Sequence, residues 1–221
     1  NRDMGGWYAW QRIQTVFSFG GSKHLTISLG SADSSDDSVT YYTAAFQVVL
    51  ENADSSVSVV RAADAAQTSF NVNTDNPISI YSGTANFGTR DTGVLDSVRT
   101  NILRVSSGAV LNTYVKSFEV EVGNGSRYAT IAGVWNFQVA EIPADGALIT
   151  VVGNCSTQGG MINFDFTDFN LSEGVYDLIS AGGGFSLNGA PDGDLSTDFG
   201  IIGLDPEKFS LSISSDGTLL Q

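Results

Sequence analysis

Apolar and polar residues alternate along almost the whole chain, and no 3.6-residue apolar stripe appears anywhere. Leu25, Ile27 and Leu29 alternate with Thr26 and Ser28. The same beat recurs at Phe46, Val48 and Leu50, at Val57 and Val59, at Phe70 and Val72, at Ile78 and Ile80, and at Phe118, Val120 and Val122. A period of two places successive side chains on opposite faces of an extended chain, so the pattern is that of half-buried strands. Residues 147–152 form a more continuous apolar run, which predicts a strand covered on both faces.

Turn residues punctuate these runs about every 8–12 positions, as in sandwiches and barrels. Gly30-Ser31, Asn52-Ala53-Asp54, Ser107-Gly108 and Gly123-Asn124-Gly125-Ser126 are examples, and the chain holds 25 Gly against 4 Pro. Asn124-Gly125, between Val122 and Tyr128, predicts a two-residue hairpin, because that turn needs positive φ at both central residues. Helix signals are few: residues 60–67 predict one short helix, and Asp205-Pro206-Glu207 a single turn. No fixed-period repeat is visible. The expected fold is therefore all-β, an antiparallel, jelly-roll-like β-sandwich with few or no helices. It spans residues 1–221 as one unit or splits into a sandwich over 1–142 and a smaller β unit over 143–221, at the Pro143 to Gly146 punctuation.

Charge narrows the partners. Ten basic against 24 acidic residues give a net charge of −14. Such a surface repels phosphate backbones and anionic membranes, and no apolar run is long enough to span a bilayer, so neither nucleic acid nor membrane insertion is expected. The lone Cys155 forms no intrachain disulfide and, far from any histidine in sequence, reads as a buried, inert thiol.

Residues 161–221 carry a more specific pattern. Ile162, Phe164 and Phe166 alternate. The stretch Leu171-Ser172-Glu173-Gly174-Val175-Tyr176-Asp177-Leu178-Ile179 then leads to Gly182, Gly183 and Gly184. A last run, Phe209, Leu211 and Ile213, ends in Asp216-Gly217-Thr218-Leu219-Leu220. This resembles the tail of bacterial surface proteins of the autotransporter-associated and sorting-signal-bearing kinds. The resemblance implies an exported, extracellular or cell-surface β protein. Residues 25–29, 44–50 and 118–122 are loosely similar to strands of concanavalin-A-like and laminin-G-like jelly-roll modules.

Catalytic signals are thin. His24 is the only histidine, which rules out a three-histidine metal centre. Glu119 and Glu121 alternate on one strand and share a face, as paired carboxylates of a sandwich glycosidase do, but a half-buried strand with a polar outer face explains them equally. Tyr114, Lys116, Arg127 and Tyr128 supply the residue types of a polysaccharide lyase without a spacing that singles them out. Trp7, Tyr8, Trp10, Gln11 and Arg12 form the best ligand-binding candidate, since sugar rings stack on aromatic faces while amide and guanidinium groups bond hydroxyls. Asp192, Asp194 and Asp198 flank Gly193 and are the better of two Ca²⁺ candidates; Asp33, Asp36 and Asp37 form the other. The expected role is non-catalytic binding of a glycan, or adhesion to another surface protein, with Ca²⁺ as the only candidate cofactor. The alternatives are a self-associating structural subunit of a surface layer, filament or virion, and a polysaccharide-active enzyme.

Overall fold

A computed structural model describes residues 22–123, 125–188 and 194–221. The chain winds in coils, each contributing one strand to each of three faces. The first coil holds β1 (His24–Leu29), β2 (Ser38–Tyr42) and β3 (Phe46–Val48). The second holds β4 (Ser56–Arg61), β5 (Ser69–Asn73) and β6 (Ile78–Ile80), and the third β7 (Thr84–Phe87), β8 (Leu95–Thr100) and β9 (Ile102–Val105). In the fourth, β10 (Val110–Val120) runs through a corner and serves two faces before β11 (Tyr128–Ile131). Then follow β12 (Val134–Val139), β13 (Ile149–Val151) and β14 (Cys155–Ser156), and β15 (Met161–Asp165), β16 (Ile179–Ala181) and β17 (Phe185–Ser186). A partial last coil adds β18 (Phe199–Ile202) and β19 (Leu219–Leu220).

Strands pair in parallel with their counterparts one coil away. The first face stacks β1, β4, β7, β10, β12, β15 and β18 in that order, and the third stacks β3, β6, β9, β11, β14 and β17. Only β16 with β19 is antiparallel among the named strand pairs. The protein is thus a parallel β-solenoid. The expected antiparallel, jelly-roll-like sandwich is wrong, although its near absence of helix is right. The physical reason is that a solenoid strand, like a sandwich strand, has one face inward and one outward, so both architectures write the same period of two. What differs is the partner, and the partner is a whole coil distant.

The corners follow from local breaks in that period. Within β10, Val115 and Phe118 are buried, while Lys116 and Ser117 both face outward. Two outward residues in succession turn the chain from one face to the next without ending the strand. β8 does the same with Asp96 and Ser97 between buried Leu95 and Val98. The two corners stack, and Lys116 Nζ stands 2.9 Å from Asp96 Oδ1.

Three local expectations fail for the same topological reason. β10 and β11 do not pair, so no hairpin joins them; β11 pairs in parallel with β9 and β14, and Asn124 lies outside the described residues. Residues 62–67 form a turn instead of a helix, because the Ala62 and Ala66 amides donate to the Leu29 and Ser31 carbonyls of the preceding coil. In β13 Thr150 points outward and Val152 beyond it is 44 % exposed, so that strand is covered on one face only. The turn at Asp205 forms as a single turn, with Asp205 Oδ1 accepting from the Glu207 amide at 3.0 Å.

Inward side chains stack in columns along the axis. Val59, Phe87, Thr113, Phe137 and Phe164 occupy equivalent positions on the first face, and Phe46, Ile78, Leu103, Ala129, Cys155 and Phe185 on the third. Trp135 is fully buried, lies edge-on to Phe118 at 4.8 Å and donates through Nε1 to Thr113 Oγ1 at 3.0 Å. That bond satisfies both buried polar groups, which would otherwise cost about 1–3 kcal/mol each. Phe137 lies 6.2 Å from the Trp135 ring and 6.1 Å from the Phe164 ring, so it links two neighbouring coils. Phe137→Ala should lower unfolding free energy by about 3–5 kcal/mol, read as a fall in urea midpoint at unchanged slope.

Candidate functional site: an amide-lined groove

The outward side of the first face carries an asparagine in four successive coils. Asn86, Asn112, Asn136 and Asn163 are in register across β7, β10, β12 and β15. Each donates from Nδ2 to the side-chain oxygen of the coil before. Asn163 donates to Asn136 at 2.9 Å, Asn136 to Asn112 at 2.8 Å, Asn112 to Asn86 at 2.8 Å, and Asn86 to Ser58 Oγ at 2.8 Å. Amides stacked in this way align their dipoles and polarise one another. The series stops at Gly200, the matching position of β18, where any Cβ would collide with Asn163 Oδ1.

Asn86, Asn112 and Asn136 floor a groove of about 340 Å³ that Gly88, Thr89, Gln138, Asp165 and Ile202 also line. The wall is a short strap after β7. Thr89 and Gly93 bridge antiparallel, with the Gly93 amide donating to the Thr89 carbonyl at 2.8 Å. The chain enters the strap at Gly88 with φ +70°, pressed so closely on the Tyr114 carbonyl that a side chain there would clash. At the strap's tip Arg90 reaches β15. Its Nη2 lies 3.0 Å from Asp165 Oδ2 and its Nε 2.7 Å from Asp168 Oδ2. Burial pushes the Asp165 carboxyl up, but the Thr167 hydroxyl and amide, joined by Arg90, outweigh it and hold the group below the usual carboxylate range.

The residues singled out in the sequence lie elsewhere. Trp7, Tyr8, Trp10, Gln11, Arg12 and Asp192 fall outside the described residues. Asp194 is exposed and caps a 3₁₀ turn (Leu195–Thr197), accepting from the Ser196 amide at 2.9 Å. Asp198 is fully buried and accepts from the Thr157 hydroxyl, from the Asn188 amide at 2.7 Å and from the Thr197 hydroxyl at 2.9 Å. Its carboxylate closes a protein network, and no group of three or more acidic, His or Cys residues suited to a metal occurs among the described residues.

Glu119 and Glu121 do share an outward face, and both meet Arg99. Glu121 accepts a 2.7 Å hydrogen bond from Nη2, while Glu119 Oε2 stands 2.7 Å from Nε as an ionic contact outside hydrogen-bond alignment. Burial, opposed by Arg99 and reinforced by Glu121, raises the Glu119 carboxyl above its ordinary range. Tyr114, Lys116, Arg127 and Tyr128 are not brought together. Tyr114 is on the first face and Lys116 at the corner, whereas Arg127 bonds the Gly123 carbonyl and Tyr128 the Arg104 guanidinium. His24 is exposed beside Ser56 Oγ at 2.9 Å. Cys155 is fully buried, and burial pushes its thiol up to about 12.

Sequence reasoning passed over the asparagines, although a signal exists. Ala85-Asn86-Phe87, Leu111-Asn112-Thr113, Trp135-Asn136-Phe137 and Ile162-Asn163-Phe164 each set one outward amide between two inward residues. No family, no curated protein and no solved structure matches the chain.

Two outcomes are expected. The Cys155 thiol should react with a disulfide reagent at pH 8 only after denaturant is added. Arg90→Gln should lower stability at pH 7 by about 0.2–1 kcal/mol. Because the folded Asp165 pKa is depressed, this contribution is present above the ordinary carboxylate range and is lost as pH falls from there through the lower folded value. Urea titrations of wild type and variant should therefore differ at neutral pH and converge in acid.

Proposed function

We propose that the protein is an exported, non-catalytic module that binds a glycan along its first face. The observation that supports this most is the asparagine series, which leaves hydrogen-bonding capacity pointing outward at regular intervals. A side-chain amide has two N–H donors and two acceptor lone pairs. Asn112 and Asn136 each spend one of each within the series, and each keeps one of each for a ligand. Successive coils lie about 4.8 Å apart, so the groove repeats its polar groups at that spacing. Sugar hydroxyls donate and accept alike, and a chain of sugars presents them at intervals along its length.

Other features agree. The −14 net charge disfavours nucleic acid. Among the described residues no helix is long and apolar enough to cross a membrane. Export rests on the resemblance of residues 161–221 to bacterial surface proteins. An enzymatic reading draws less support, since Glu119 and Glu121 are both engaged by one guanidinium.

The test is a glycan array probed with wild type, Asn112→Ala, Asn136→Ala and Glu119→Gln, each checked for folding by circular dichroism. Wild type and Glu119→Gln should bind the same glycans. The two asparagine variants should bind them about tenfold more weakly, the effect of losing roughly one hydrogen bond. Equal binding by all four proteins, or no glycan bound at all, would overturn the proposal.

A further inference from the structure

The groove is polar and, among the described residues, its lining carries no positive charge, with neither Lys nor Arg part of it. Arg90, on the strap, is held by two carboxylates. Arg61, against Gly93 at the strap's base, lies with its guanidinium 4.4 Å over the Phe70 ring, and Lys116 is held by Asp96. The ionisable group of the described lining is Asp165, whose carboxyl lies below the ordinary range because the Thr167 and Arg90 bonds outweigh its burial. The asparagine floor adds donors and acceptors in equal number and no net charge.

Gln138 stands out within this lining. It follows Asn136 by two positions on β12 and so faces the same way. Its Oε1 is shielded from water and accepts no hydrogen bond. An acceptor in that state has lost its hydration without replacement, which is unfavourable until a donor reaches it. The last torsion of a glutamine is broad and two-fold, so a modest rotation presents the amide to the groove.

We infer that the groove takes an uncharged, polyhydroxylated chain lying along the solenoid axis, across the strands, with the Gln138 amide fixing its register. This rests on the glycan-binding reading and narrows it. Hydroxyls satisfy both the spare N–H groups and the spare lone pairs of the floor. Carboxylates and sulfates only accept; in this groove they face the floor's unfilled lone pairs and the Asp165 carboxylate, whose Arg90 partner is shared with Asp168. An extended peptide gains its affinity by pairing with a sheet edge, whereas the floor is a sheet face whose strands are hydrogen-bonded on both sides by neighbouring coils.

The experiment is calorimetric titration of the full chain with cellohexaose, maltohexaose, xylohexaose and mannohexaose as neutral probes and hexagalacturonate as the acidic probe. Each is run at about 50 mM and about 500 mM salt, which spans strong and weak screening. At least one neutral hexasaccharide should bind with an affinity that changes less than about twofold with salt, and hexagalacturonate should not bind. Gln138→Leu should weaken the neutral ligand about tenfold while Glu119→Gln does not. The salt comparison needs no variant, so a Gln138→Leu chain that misfolds does not remove the test. Preference for hexagalacturonate, weakening steeply with salt, overturns this inference and leaves the glycan-binding reading standing. So does neutral binding that Gln138→Leu, folded, leaves unchanged. Failure of every saccharide to bind, together with a blank array, overturns both.

Discussion

In-register parallel pairing between coils is the constraint on which the other features depend. Main-chain hydrogen bonds tie each strand to its counterparts in the coils before and after, and they fix the offset between coils residue by residue. Because side chains alternate strictly, a slip of one residue would send every inward side chain out and every outward one in. Register therefore places Phe137 over Phe164, Thr113 beside the Trp135 indole, and one asparagine amide over the next. The core and the groove are two sides of one alignment.

The outer surface then makes use of what the register supplies. Amides at one column need no charge to cohere, since each both donates and accepts. At the next outward position the sequence changes from coil to coil, with Gly88, Tyr114, Gln138, Asp165 and Ile202 in succession. That variation turns a regular face into a site. Gly88 lets the strap leave the coil, Asp165 receives its tip, and Gln138 is left beneath with an unfilled acceptor. A β-solenoid holds such a site on strands rather than loops, which keeps its geometry rigid.

Polar groups inside the solenoid are handled differently. The Trp135–Thr113 bond is local to two adjacent coils. Asp198 gathers Thr157, Thr197 and the Asn188 amide at the last coil, so a carboxylate that looked free in the sequence is consumed in joining the turn before β18 to the coil beneath. Its neighbour Asp194 remains at the surface as a cap. Two acids four positions apart thus have unlike roles, decided by burial alone.

The sequence by itself determined that this is a β protein with a half-buried strand every few residues, an acidic surface and an inert cysteine. These are local properties: period two, charge count and the lack of a partner thiol. The corners at Lys116-Ser117 and Asp96-Ser97 are not legible in the sequence, because that both residues of each pair face outward is visible only in the wound chain. Only the tertiary structure decided which strand lies beside which. Hydrogen-bonded counterparts are 32, 28, 26, 24 and 27 residues apart in successive coils, so no fixed period announces them. Main-chain pairing carries no residue code, and a strand with one face inward satisfies a sandwich as well as a solenoid. The asparagine series was written in the sequence as four separate apolar-Asn-apolar triplets or their Thr113 variant, and it became a site because winding the chain stacked them.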